Sequence, residues 1–125
     1  MEFRNARHTD NLKLIEAFYT RILGLEVLFS FEDHNGYNGL FLGKQGHDWH
    51  LEFTSSHDKA RHKFDLEDML VFYPTEKDEY DKIVNQIEAN NIEKIQSRNP
   101  YWNENGIMIR DPDGFGVVVS HLKIK

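Results

Sequence analysis

The sequence predicts an α+β fold built from one supersecondary unit used twice, in the order strand, helix, strand, strand, strand. Three observations carry that expectation. Apolar residues recur at helical spacing in two stretches, Leu12, Ile15, Phe18, Tyr19 and Ile22, then Tyr80, Ile83, Val84 and Ile87. Each stretch is flanked by short β-type runs that turn residues cut off. The last runs of the two halves also superimpose, His50-Leu51-Glu52-Phe53-Thr54 falling on Gly116-Val117-Val118-Val119-Ser120.

Taken in order, residues 3–8 form the first candidate strand. Thr9-Asp10-Asn11 then offers side-chain oxygens to the free amides of a first helical turn. The helix spans residues 12–22, and Gly24 is suited to the left-handed position that ends it. Residues 25–31 and 37–42 are strand-like on either side of Asp33-His34-Asn35-Gly36, a hairpin turn. Residues 43–46 turn again, and residues 49–54 close the first half. The polar, charge-rich residues 55–68 connect the halves.

In the second half residues 69–73 are an apolar strand that Pro74 limits. Thr75 with Asp78 resembles a capping box for the second helix, and Asn90-Asn91 are suited to end it. Residues 92–96 are then expected as a strand and residues 98–103 as a loop. Residues 107–110 and 115–120 form a final hairpin around Asp111-Pro112-Asp113-Gly114, where proline presets one turn dihedral and glycine accepts a positive φ. Strand parity puts Leu51, Phe53, Val117 and Val119 on the face packed under a helix. His50, Glu52 and Thr54, with Gly116, Val118 and Ser120, lie on the other face.

Composition narrows the function classes. The 125 residues suit a single domain or two small repeats, and 39% apolar content is enough for a core. There is no cysteine, hence no disulfide, thiolate metal site or cysteine nucleophile. A net charge of −6 and scattered basic residues argue against nucleic acid or an anionic membrane as partner. No signal-like or membrane-spanning run is present, so a cytoplasmic protein is expected. Phosphate-binding loops, nucleophile elbows and dinucleotide fingerprints are also missing.

Phe18-Tyr19, Leu23-Gly24-Leu25-Glu26-Val27 and Arg110-Asp111-Pro112-Asp113-Gly114, in this order and on a doubled pattern of elements, resemble the vicinal-oxygen-chelate superfamily of glyoxalases, bleomycin-resistance proteins and extradiol dioxygenases. The resemblance covers nearly the whole chain. It implies two βαβββ modules, about 1–57 and about 66–125, forming a cupped mixed β-sheet with flanking helices in a single domain. It also implies a homodimer, which the need to cover exposed sheet edges supports. Metal-dependent members take ligands near the start of each module's first strand and on each module's last strand. Those positions fall near Phe3, near Asp68 or Met69, on Glu52 and on Val118. Since Phe3 and Val118 have no donor atom, no metal ligands and no cofactor are expected, a divalent metal remaining the disfavoured alternative.

His47-x-x-His50 beside Glu52 invites a metal reading, but strand residues three apart face opposite ways. Glu52 is the candidate catalytic residue, a base if its carboxylate lies in an apolar cup, and a structural carboxylate if it pairs with His50 or an arginine. His50, Glu52, Thr54, Tyr101, Trp102, Val118 and Ser120 are the candidate ligand-binding residues. Tyr101 and Trp102 are expected on a loop at the cup mouth, with stacking and loop anchoring both open. Such a site would suit an apolar or aromatic body with a donor or cationic group. The leading expectation is metal-free binding of a small organic molecule in the cup. The alternative is a lyase or isomerase that uses a divalent metal or Glu52 as general base.

Overall fold

A computed structural model describes residues 1–125. The chain divides into two compact units, Met1–His62 and Lys63–Lys125, each with its own sheet.

In the first unit the elements are β1 (Phe3–His8), α1 (Leu12–Ala17), β2 (Glu26–His34), β3 (Tyr37–Gly43) and β4 (Trp49–Ser55). The sheet order is β1-β4-β3-β2, with β1 parallel to β4 and the other pairings antiparallel. Asn11 caps α1, its side-chain oxygen accepting from the Leu14 amide at 3.1 Å. The expected single helix is two segments, because Phe18–Ile22 continues as a π-helix. The Thr20 hydroxyl donates to the Glu16 carbonyl at 2.7 Å, and side-chain bonding of this kind competes with the regular ladder. Gly24, at φ 72°, ends it.

The helical stripe packs on the sheet as parity requires. Ile15, Phe18, Tyr19 and Ile22 are buried, and so are Leu40, Leu42, Leu51 and Phe53. The register sets Leu40 beside Phe53 and Leu42 beside Leu51, and the Tyr19 and Phe53 rings lie 5.4 Å apart. Each of these side chains contributes about 1.5–3 kcal/mol by leaving water. Because successive strand residues alternate, burying Leu51 and Phe53 leaves His50, Glu52 and Thr54 on the opposite face, where all three are half-buried.

The second unit contains β5 (Met69–Phe72), α2 (Lys77–Ala89), α3 (Pro100–Asn105), β6 (Gly106–Arg110) and β7 (Gly116–Ser120), with sheet order β5-β7-β6. The central strand β7 is buried along its whole length, and α2 buries Ile83 and Ile87. Asp111-Pro112-Asp113-Gly114 closes the final hairpin. The Asp111 carboxylate accepts from the amides of Asp113 (2.9 Å) and Phe115 (3.1 Å), and Gly114 has φ 88°.

Three local expectations are corrected. The strand at residues 92–96 is reduced to one bridge, Ile95 to Met108, and the loop beyond it is held by a side chain instead of a ladder. The Asn103 amide group supplies that hold, accepting from the Ser97 amide at 2.7 Å and donating to the Ser97 carbonyl at 3.0 Å. The expected loop at residues 98–103 contains α3, started by Asn99, whose side chain accepts from the Tyr101 amide, with Pro100 in the first turn. Finally, the capping box at Thr75 and Asp78 does not form: Glu76 is the N-cap of α2 and makes no side-chain cap bond.

Candidate functional site

The polar face of the first sheet is assembled by register. Parallel pairing of β1 with β4 sets Arg4 beside His50, Ala6 beside Glu52 and His8 beside Thr54. Antiparallel pairing with β3 sets Phe41 beside Glu52, Gly43 beside His50 and Gly39 beside Thr54. Phe29 and Phe31 of β2 then align with Phe41 and Gly39. One face therefore carries a carboxylate, two imidazoles and three phenyl rings.

The charges on this face are paired. Arg4 donates from Nη1 to Glu52 Oε2 at 2.9 Å, and the Glu52 side chain is 17% exposed against 61% for Arg4. A largely desolvated carboxylate is thus neutralised by a guanidinium that stays in water. The His50 ring stacks on Phe41, with centroids 4.9 Å apart and planes at 20°. His50 Nε2 is buried with no hydrogen-bond partner in the chain. Phe41 also meets Phe29 at 5.5 Å and Phe31 at 6.5 Å, giving a continuous aromatic surface. Gly39 makes room for it, since the Phe31 ring occupies the space a Cβ would take. At the far end His8 Nε2 hydrogen-bonds Ser56 Oγ at 3.0 Å.

The remaining sequence candidates have other surroundings. His47 lies in the turn before β4, edge-on to Trp49 at 6.1 Å. In the second unit Val118 and Ser120 have 0% exposure, and the Ser120 hydroxyl donates to the Asn105 carbonyl at 2.6 Å while accepting from the Leu122 amide. Tyr101 and Trp102 meet edge-to-face at 4.9 Å on α3, with Tyr101 exposed. Sequence reasoning missed Arg4, Phe41, Phe29 and Phe31. The signal was present for Phe29 and Phe31, which alternate with Ser30, whereas Phe41 stands between two leucines and shows no alternation. For Arg4 there was none without the β1–β4 register.

The doubled module and its α+β sheets define a protein of the vicinal-oxygen-chelate superfamily, the glyoxalase and fosfomycin-resistance fold. Within it the chain belongs to the YycE-like family: residues 3–54 match the YycE-like N-terminal domain and residues 67–121 the YycE-like C-terminal domain. It is 35% identical over 123 residues to the uncharacterized protein YycE of Bacillus subtilis (strain 168), spanning 98% of this chain and 88% of the relative. The crystal structure of a B. subtilis YycE protein of unknown function, described as a candidate glyoxalase/fosfomycin resistance protein, superposes with TM-score 0.84 at 34% identity, covering 99% of this chain and 90% of that one. Trypanothione-dependent glyoxalase I of Leishmania major superposes with TM-score 0.72 at 19% identity, over 96% of this chain and 85% of that one, a likeness of fold.

Some proteins of this fold hold a divalent metal, as in the Listeria monocytogenes FosX structure with Mn(II). At the positions where the family resemblance puts ligands, this chain offers an incomplete donor set. Phe3 and Val118 lack donor atoms, Glu52 is taken up by Arg4, and Asp68 Oδ2 accepts from the Asp65 amide at 3.0 Å.

Proposed function

We propose that the chain binds a small organic molecule on the polar and aromatic face of the first sheet, and that it does so without a metal. The observation that carries this reading is the Arg4–Glu52 pair at 2.9 Å. The one carboxylate that matches a family ligand position already has a cationic partner, supplied by the protein's own first strand. The guanidinium supplies the charge balance that a dication would supply elsewhere.

The surroundings support the class of ligand. Phe29, Phe31 and Phe41, with His50 stacked on Phe41, offer a surface on which a planar or apolar body can lie. Thr54 and the ion pair supply hydrogen-bonding groups beside it. Because Arg4 offsets the charge of Glu52, the wall is dipolar rather than acidic, and the expected preference for a cationic group weakens into one for a hydrogen-bonding group. An enzyme using Glu52 as base would need that carboxylate free to take a proton, and the Arg4 contact works against it.

Thermal-shift screening of aromatic and heteroaromatic compounds, followed by calorimetry of the best hit, tests the reading. Loss of a charged partner costs a ligand about 1.5–3 kcal/mol, roughly ten- to a hundredfold in affinity. Glu52→Gln and Phe41→Ala should each weaken the hit by about tenfold or more, whereas Glu93→Gln, at an exposed position of the second unit, should leave it unchanged. Affinities unchanged by both substitutions on this face would put the ligand elsewhere.

A further inference from the structure

We propose a second ligand site, in the second unit, for a small zwitterion of α-amino-acid size with a short apolar side chain. The site is a cavity of about 150 Å³ between residues 64–66 and the β6–β7 hairpin. It is too small for drug-sized ligands, which occupy about 300–1,000 Å³.

The cavity is built from both sides. Residues 64–67 are tied down by Arg98, whose Nη2 donates to Asp65 Oδ1 at 2.8 Å and to Glu67 Oε2 at 2.7 Å. The Phe64 ring anchors this segment edge-on against Phe115, with centroids 4.5 Å apart. The floor is formed by Met108 and Gly116. A Cβ at Gly116 would lie 2.8 Å from Met108 Cε and 2.9 Å from the Asp68 carbonyl oxygen, so glycine is what lets the segment and the strand approach so closely.

Two charged groups of opposite sign line the space, Arg110 and Asp65. Arg110 makes no ion pair and no side-chain hydrogen bond within the chain. Asp65 directs both of its accepted bonds, from Arg98 and from the Glu67 amide, to Oδ1, which leaves Oδ2 available. Phe64, Leu66 and Met108 form the apolar wall. The choice between a bare anion and a zwitterion follows from the lining itself. Asp65 borders the same space as Arg110, so a ligand with net negative charge meets a carboxylate as well as the guanidinium. A zwitterion places its carboxylate on Arg110 and its ammonium toward Asp65 at no net charge.

The test is a titration of the full chain, followed by two-dimensional amide NMR, with L-alanine, propionate and ethylammonium as probes. L-Alanine should shift the amides of Leu66, Gly114 and Gly116 saturably. Propionate and ethylammonium, each with one charge, should bind at least about tenfold more weakly. Arg110→Gln should reduce L-alanine affinity by about ten- to a hundredfold with the amide spectrum otherwise retained. Leu66→Trp, at a partly exposed position that tolerates bulk, should fill the cavity and abolish the response while the protein stays folded. The proposal is overturned if millimolar L-alanine produces no saturable shift at these amides, if propionate binds as tightly as L-alanine, or if Arg110→Gln binds like the wild type.

Discussion

Removing Arg4 should hurt the fold more than removing Glu52, although the two form a single contact. The asymmetry comes from exposure. Glu52 is 17% exposed and Arg4 61% exposed. Arg4→Gln strands a mostly desolvated carboxylate, which costs about 1–3 kcal/mol. Glu52→Gln strands a guanidinium that water already solvates, so the loss falls in the range of exposed pairs, about 0.2–1 kcal/mol. The double variant should resemble Glu52→Gln alone, because no charge remains to be stranded, and a coupling of about 1–3 kcal/mol, the cost of Arg4→Gln, should emerge from the cycle. In a chain of this length each kcal/mol corresponds to about 4 °C in melting temperature. Urea unfolding of the four proteins, backed by thermal scans, measures all three quantities. Equal effects of the two single substitutions, or additive behaviour in the double variant, would refute the view that Arg4 neutralises a buried carboxylate.

Other expectations follow from the same structure. Phe53→Ala empties a position 1% exposed under Tyr19 and should cost about 3–5 kcal/mol in denaturant unfolding. The Asp65 carboxyl sits below its ordinary pKa, held there first by the Glu67 amide and then by Arg98. Its contribution to stability is therefore present above the ordinary aspartate value and is lost as pH falls through the lowered one. Carboxyl NMR titration should show Arg98→Gln moving Asp65 upward, and an unchanged titration would exclude the Arg98 contribution. Assembly can be read by light scattering, where a homodimer should give twice the 14.8 kDa chain mass and a monomer would exclude pairing of sheet edges.

Much of the architecture was legible because period and punctuation agreed. Leu12, Ile15, Tyr19 and Ile22 specify a helix, Leu51 and Phe53 specify a strand face, and Asp111-Pro112-Asp113-Gly114 specifies its turn by the backbone angles proline and glycine permit. The errors fall where side chains compete with the ladder. Thr20 bonding to the Glu16 carbonyl accompanies the π-helix, and Asn103 holding Ser97 replaces a strand. The Asn99-Pro100 start of α3 was a readable helix signal that the surrounding polar residues masked. For the site, parity alone placed His50, Glu52 and Thr54 on one face. What parity could not supply was register between strands distant in sequence. Arg4 reaches Glu52 across 48 positions, and only the β1–β4 pairing makes them neighbours.

No helix of the chain is long and apolar enough to cross a membrane, and the central claim concerns chemistry on the first sheet alone. It is tested most directly by calorimetry of the best screening hit on chelator-stripped protein, repeated after addition of Mn(II), Ni(II) or Zn(II). The account predicts full affinity on the stripped protein and no gain with any metal. Binding that disappears on stripping and returns with one equivalent of a divalent ion would contradict it.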